Sequence, residues 1–378
     1  MTTIIEYLTT GMGDGGAETL IKDYALLLDK NKYKVVIVCL GPINVASANY
    51  ARLKDAGIPI HSIYNNRNIS KLWIVQKIWN RFIHKQYVSH KLLQYINSYK
   101  ADVIHCHLEV LSTVVPIADK IKHLKVFWTC HSQPKVIFKP SRWDSEEKAA
   151  KYLIKKCSLR MIALHEDMRQ ELNKMFNTNK TIVIHNGVDF DKFRSVPLSK
   201  NEIRASLNIP DTAFVVGHVG RFSQAKNHSY LIDIFKELRA INPNAFLLMI
   251  GAGDLSEVAI QKLEEYGLKG KYRILSHRTD IPFLLKAMDV FVFPSLFEGL
   301  PVSMVEAQVV GLRTIASNKI TEECFFSPNA ISLSIDESPR KWAEIINDVS
   351  YVSDYHRDID LFNMQKEIIR LGEIYEKG

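Results

Sequence analysis

DVFVFPSLFEGLPVSMVEAQVVG, Asp289 to Gly311, is the stretch on which the fold turns. Its apolar opening reads as a buried strand, its middle as a loop and its remainder as a helix. Pro301 suits a first helical turn, Ser303 a local cap and Gly311 a helix end, which puts the helix N-terminus just after Glu298. Glu306 falls about one and a half turns in. Both carboxylates can then border the crevice at a strand's carboxyl end, where open parallel sheets bind ligands. From spacing alone, Glu306 equally fits a solvated helix face, and Glu298 a charge that favours the helix dipole.

Working outward, FVVGHVG, AFLLMIGAG, YRILS and RTIAS are further β-branched runs, and amphipathic stretches such as Tyr230 to Ile241 lie between them. They predict a doubly wound parallel lobe. IIEYLT, KVVIVCL, DVIHCH, KVFWTC, RMIAL and TIVIHN repeat the pattern upstream and predict a second one. A chain of 378 residues with 47% hydrophobic and 24% charged residues suits two such domains. The expected division is an acceptor-side lobe over residues 1–192 and a donor-binding lobe over 193–356, with a C-terminal helix near 357–378 packing back on the first lobe. The polar stretch Val188 to Lys200 reads as the linker, leading into a helix capped by Ser199 or Asn201.

Charge is uneven. Residues 1–192 carry 28 basic and 17 acidic residues, or +11, and the remainder 21 and 24, or −3, within a net charge of +8. A basic first lobe suits phosphates on nucleotides, nucleic acid or a membrane leaflet. The five cysteines are odd in number and form no CxxC pair, which argues against a disulfide framework or a zinc ribbon. MTTIIEYLTT lacks the regions of a signal peptide, and no apolar run reaches membrane-spanning length, so a cytosolic location is expected.

Gly11, Gly13 and Gly16 fit GxGxxG between a strand and a helix, the setting of a dinucleotide fingerprint. That reading also needs an acidic residue closing the second strand, where the sequence has Leu40, Gly41 and Pro42. A glycine loop whose amides approach a ligand fits better, and a plain tight turn is the simpler alternative. Arg221 and Lys226 follow the glycine-ended strand GHVG and suit a diphosphate, although each alone is an ordinary surface cation. His105, His107 and His131 close two strands; no convincing further ligand completes a zinc site, which leaves structural or substrate-contacting roles. Asp189 and Asp191 form a DxD in the linker that reads as turn and cap chemistry.

Together these residues resemble glycosyltransferase family 4, retaining enzymes of the GT-B fold, and especially its capsule and exopolysaccharide members. The matching stretches are GGAE at Gly15 to Glu18, TCH ending at His131, HNGVD at His185 to Asp189, GHVGRF with Lys226 and Asn227, and Glu298 with Glu306 around GLPVSMV. The resemblance implies two Rossmann-like lobes across a cleft that holds a nucleoside diphosphate sugar, a UDP-sugar in preference to a GDP-sugar. It implies that Glu298 contacts the donor sugar and Glu306 the ribose, with Gly299, Leu300 and Pro301 near sugar and phosphates. Arg221 and Lys226 would hold the diphosphate, Arg278 would line the base pocket, and Gly16 and His131 would approach the donor from the first lobe. No metal is required on this reading, and nucleic acid is not a partner. The acceptor it implies is a lipid-linked glycan at the inner face of the cell membrane. Arg67 to Lys100, with seven basic and no acidic residues, fits docking on an anionic surface or a helix packed on its own sheet. Two departures from the family pattern stand out, His165 in place of serine and Arg313 in place of proline. A sugar-nucleotide epimerase of the same fold and a noncatalytic basic binding protein remain the rival readings.

Overall fold

The structure is a computed structural model that describes residues 1–64, 81–138 and 146–377. The chain divides into two compact units, Met1–Asn186 with Gln365–Gly378, and Gly187–Met364. The second unit therefore begins ahead of the boundary drawn from sequence at residue 192. The stretch read as a linker lies inside this second unit as ordered structure. Val188 bridges Asn363, Asp189 caps a short helix Phe190–Arg194 through Lys192 N (3.1 Å), and Ser199 forms a reciprocal capping box with Glu202.

The N-terminal unit carries seven parallel strands: β1 Thr2–Leu8, β2 Tyr33–Cys39, β3 Ile60–Ser62, β4 Val103–His107, β5 Lys125–Thr129, β6 Arg160–Ala163 and β7 Ile182–Val183. Their order is β3-β2-β1-β4-β5-β6-β7. The second unit has β8 Phe214–Val219, β9 Ala245–Ile250, β10 Tyr272–Leu275, β11 Val290–Phe293, β12 Arg313–Ser317 and β13 Ala330–Leu333, in the order β10-β9-β8-β11-β12-β13. Both sheets reverse direction after their first strand, at β1/β4 and at β8/β11. In such sheets the carboxyl ends on either side of the reversal open a crevice for ligands.

Burial follows from the crossover helices. The helix His228–Ile241 buries Leu231, Ile234, Phe235 and Leu238, the i, i+3, i+4, i+7 stripe that faces a core. Each such side chain contributes about 1.5–3 kcal/mol. Trp342, fully buried on the helix Pro339–Asn347, meets the Tyr230 ring edge-on at 6.0 Å.

The last helix, Met364–Lys377, crosses back to the N-terminal unit. Leu371 and Tyr375 are fully buried there, Glu367 accepts from His185 N (2.7 Å), and Tyr33 Oη donates to Glu376 Oε1 (2.6 Å). Lys125 Nζ donates to the carbonyls of Tyr375 (2.9 Å) and Glu376 (2.6 Å), a cation on the negative end of the helix.

Of the basic segment Arg67 to Lys100, residues through Asn80 lie outside the described residues, as do the side chains of Arg81, Phe82 and Ile83; from Arg81 to Tyr99 the chain is helical. Among the described residues no helix is long and apolar enough to cross a membrane. All five cysteines are free and buried.

Candidate active site

In the C-terminal unit three loops converge beside the β8/β11 reversal. The loop after β8 is zipped to the loop after β9 by Gly220 N to Ile250 O (2.9 Å) and Phe222 N to Ala252 O (3.0 Å). Glycine is required there. A Cβ on Gly251 would stand 2.0 Å from Gly220 O, and one on Gly253 would stand 2.4 Å from Phe222 O. The loop after β11 joins through Leu296 N to Ala225 O (2.8 Å). These ties bring Lys226 to Glu298: Lys226 Nζ donates to Glu298 Oε1 at 2.7 Å and lies 4.6 Å from the centroid of the Phe293 ring. Side-chain exposures of 17% and 12% leave both ends of the pair reachable by a ligand.

The helix Val302–Val309 follows at once. Pro301 is its N-cap, one position earlier than the first-turn place expected from sequence, and it makes no side-chain cap. The free amides of that first turn remain a seat for an anion or a sugar oxygen. Leu300 and Pro301 are buried, Gly299 is partly exposed, and Glu306 is half-buried on the helix. Arg221 is exposed, and its guanidinium makes no hydrogen bond or ion pair with the described residues. Arg278, beyond β10, is paired in a two-pronged contact with Asp280. A base-lining role for Arg278 therefore has to compete with that carboxylate.

Asp289, which opens the quoted stretch, is structural. It accepts from Lys200 Nζ (2.6 Å), Arg204 (2.6 Å) and Val215 N (2.7 Å), tying the helix Lys200–Ser206 to the sheet. The two departures also have local roles. His165 Nδ1 caps the helix Glu166–Phe176 by accepting from Met168 N (3.3 Å), the task a serine performs there. Arg313 donates to the carbonyls of Ile345 (2.8 Å) and Tyr351 (2.9 Å), and so holds the turn that ends the helix Pro339–Asn347.

In the N-terminal unit Gly16 opens the helix Gly16–Leu27, and a Cβ there would meet nothing within 4 Å. Gly11 is different, since its Cβ would lie 1.6 Å from Pro42 O. Asn49 Nδ2 donates to Gly13 O (2.9 Å), and Asp14 accepts from Ser47 Oγ (2.8 Å), which pins the glycine loop to the next crossover. His131, just past β5, meets His107 Nδ1 through Nε2 at 2.8 Å. His107 Nε2 in turn lies 2.6 Å from Glu6 Oε2 in the middle of β1.

Glu6 is the residue that the sequence reading overlooked. It is fully buried, directly across from His105 in the β1/β4 register, and its second oxygen accepts from Tyr375 Oη (3.1 Å). Tyr375 Oη also meets His105 Nδ1 (2.5 Å), whose Nε2 meets Thr129 Oγ1 (2.7 Å). Glu6, His105 and His107 aim ligating atoms at one another, within reach of a common ion. Those atoms are joined by hydrogen bonds to one another and to Tyr375. Burial alone would raise the Glu6 pKa, but the two histidines outweigh it and hold the carboxyl down at about 2. Burial, reinforced by His105, pushes His107 down to about 4, and burial likewise holds His131 well below the usual imidazole range.

The two halves of the chain have separate counterparts among known sequences. Residues 14–192 match the profile of Glycosyltransferase Family 4, and residues 199–358 match that of Glycosyl transferases group 1. The chain belongs to glycosyltransferase family 4. The transferase is 26% identical over 345 residues to the putative glycosyltransferase EpsF of Bacillus subtilis, covering 90% of this chain and 86% of that one. It is 27% identical over 303 residues to the UDP-Gal:alpha-D-GlcNAc-diphosphoundecaprenol alpha-1,3-galactosyltransferase of Escherichia coli, covering 75% and 77%. Its fold is that of Anabaena HepE, solved with UDP and glucose, at a TM-score of 0.78 and 20% identity over 99% of this chain and 100% of that one. The transferase is a GT-B protein with two Rossmann-like lobes.

Proposed function

We propose that this glycosyltransferase moves a hexosyl group, with retention, from a nucleoside diphosphate sugar to a hydroxyl of a lipid-linked glycan during capsule or exopolysaccharide assembly. The observation that carries the donor half is the Lys226–Glu298 pair at the head of the helix Val302–Val309, beside the strand reversal. A diphosphate arriving there meets Lys226, the unengaged Arg221 and the amides that follow Gly299. Glu298, released from Lys226, turns to the hydroxyls of a sugar that gains oxocarbenium character as the bond breaks. Glu306 takes the ribose. A UDP-sugar is the donor put forward ahead of a GDP-sugar, since the Escherichia coli relative is named for UDP-galactose and HepE was solved with UDP.

Protein cations and amides take up the leaving-group charge on this reading, so no metal is needed. The lipid-linked acceptor rests on the same relative, whose name carries a diphosphoundecaprenol acceptor. An acceptor of that kind places the enzyme on the inner face of the cell membrane, with the basic first unit turned to anionic headgroups.

Transfer is tested with purified protein, a panel of UDP- and GDP-hexoses and a polyprenyl-diphosphate-linked sugar, with and without EDTA. Product in which the glycan has grown by one hexose, from a UDP donor and undiminished by EDTA, is the expected result. Free sugar released or epimerised without acceptor overturns the transferase reading. Activity lost in EDTA and restored by manganese overturns the metal-free one. Equal binding to anionic and neutral vesicles overturns the membrane placement.

A further inference from the structure

A neutral imidazole carries one N–H and one bare lone pair, and which nitrogen holds the proton is set by its partners. In the N-terminal unit the partners form a chain. Glu6 is an ionised carboxylate and can only accept, so His107 Nε2 must be the donor of the 2.6 Å contact. Neutral His107 then presents Nδ1 as a lone pair, and the 2.8 Å contact has to be donated by His131 Nε2–H. The remaining nitrogen, His131 Nδ1, is left unprotonated. It has no hydrogen-bond partner among the described residues, on a side chain that is half-buried.

Second contacts hold the first member still. Tyr375 Oη donates to Glu6 Oε1 (3.1 Å), which leaves its oxygen to accept from His105, and His105 closes on Thr129. A carboxylate buried without such company would be costly, by several kcal/mol. Its place inside a fully buried stretch of β1 asks for a use that packing does not supply.

We propose that Glu6 and His107 are positioning residues that lock His131 in the Nε2–H tautomer, so that His131 offers a substrate hydroxyl a hydrogen-bond acceptor at Nδ1 and never a donor. The substrate class this selects is a hydroxyl that must donate, either on the transferred sugar or on the acceptor glycan. The proposal rests on the reading of His131 as a substrate-contacting residue of the transferase. It differs from that reading in fixing which atom makes the contact and what fixes the atom.

The test starts with the full chain labelled with 15N-histidine. Long-range 15N–1H spectra, with the His131 signals assigned by difference against His131→Gln, report which ring nitrogen carries the proton. An unprotonated Nδ1 with a protonated Nε2 is expected at neutral pH; a protonated Nδ1 overturns the proposal. This measurement needs no catalysis, so it decides the tautomer even if no sugar is transferred and the functional reading falls. The second arm is kinetic. Glu6→Gln replaces an obligate acceptor by an amide that can donate to His107 Nε2 and reverse the chain. Expected are a kcat lowered on the order of 10–100-fold, a donor KM within about twofold, and a His131 spectrum of mixed tautomers. Glu6→Asp, which keeps the charge, should restore most of kcat. Parental kcat in a folded Glu6→Gln protein, or equal losses in Gln and Asp variants with the tautomer unchanged, overturns the positioning role. If the Gln variant does not fold, the wild-type spectrum and the Asp variant still decide.

Discussion

The two units share a strand order, and their buried histidine clusters treat polar atoms in opposite ways. Around the histidines of the N-terminal unit the groups satisfy one another, with Glu6, His105, His107, Thr129 and Tyr375 tied by contacts of 2.5–3.1 Å. In the C-terminal unit His218 Nε2, both ring nitrogens of His228 and Ser295 Oγ are buried with no partner among the described residues. His228 is stacked on Phe222 at 4.0 Å in place of any polar contact. An unpaired buried polar atom costs about 1–3 kcal/mol. The Glu6 cluster has its polar side chains tied in a fixed geometry, while the histidines and serine of the C-terminal cluster keep unpaired polar atoms. A preset partner and a yielding seat are different ways of preparing for a ligand.

The largest effect should come from deleting Gln365–Lys377, which strips Tyr375 and Glu367 from the N-terminal unit and buries Glu6 with less to hold it. The loss is expected to exceed about 5 kcal/mol, comparable with a domain's whole stability. Limited proteolysis should then digest residues 1–186 and spare 187–364. Parental melting of the deletion variant would break the comparison at its root.

Acid should separate the units next. His107 and His228 are both held near 4 by burial, neutral in the fold and protonated first in the unfolded chain. Their stability is present above the ordinary imidazole pKa near 6.5 and is lost as pH falls toward 4; at pH 5 each costs about 2 kcal/mol. Glu6, held down near 2, contributes stability above the ordinary carboxylate range that is lost only between about 4.5 and 2. Trp342 is the one tryptophan within residues 187–364 and reports that unit. Its fluorescence transition should move below pH 6.5 along with far-UV dichroism, and a further loss confined to the N-terminal unit should follow below pH 4.5. A flat stability between pH 7 and 5 would show the histidines to be less buried than their geometry states.

Glu298→Gln comes third. It keeps the shape of the pair but removes the charge from the reacting sugar, so kcat should drop by about 10²-fold, near 3 kcal/mol, with nucleotide binding retained. Transfer at the parental rate would disqualify this carboxylate. Arg221→Ala should be the mildest, weakening nucleotide affinity about tenfold through the loss of a charged hydrogen bond, with little change in melting because the exposed guanidinium makes no hydrogen bond or ion pair among the described residues. A drop in melting temperature would mean that Arg221 serves the structure and not the ligand.

Much of this architecture was legible in the chain because doubly wound lobes write strands as apolar runs; the long runs from IIEYLT to RTIAS all became strands. The short edge strands Ile60–Ser62 and Ala330–Leu333 were not read, since three or four residues with serine among them carry no periodicity. Glu298 and Lys226 were visible as motif residues, but their direct pairing depends on the Leu296–Ala225 tie between distant loops. Glu6 left one signal, a lone carboxylate inside an apolar strand, two strands' worth of sequence away from a His-x-His pair. Only the register that sets Glu6 against His105 turns that oddity into a network. His165 shows the opposite case: a departure from the family pattern that keeps the capping task with a different atom.

Chain order has a consequence in time. The N-terminal sheet starts at residue 2, yet the helix that completes it ends at residue 377, with all of Gly187–Met364 made in between. At translation rates of about 5–20 residues per second, the first unit waits on the order of ten seconds or more with its carboxylate lacking the Tyr375 hydroxyl. The contiguous second unit has no such delay. During synthesis the half that begins first is the half that matures last, and a nascent chain cut short anywhere in its final turns exposes an unfinished sheet to the cell's chaperones and proteases.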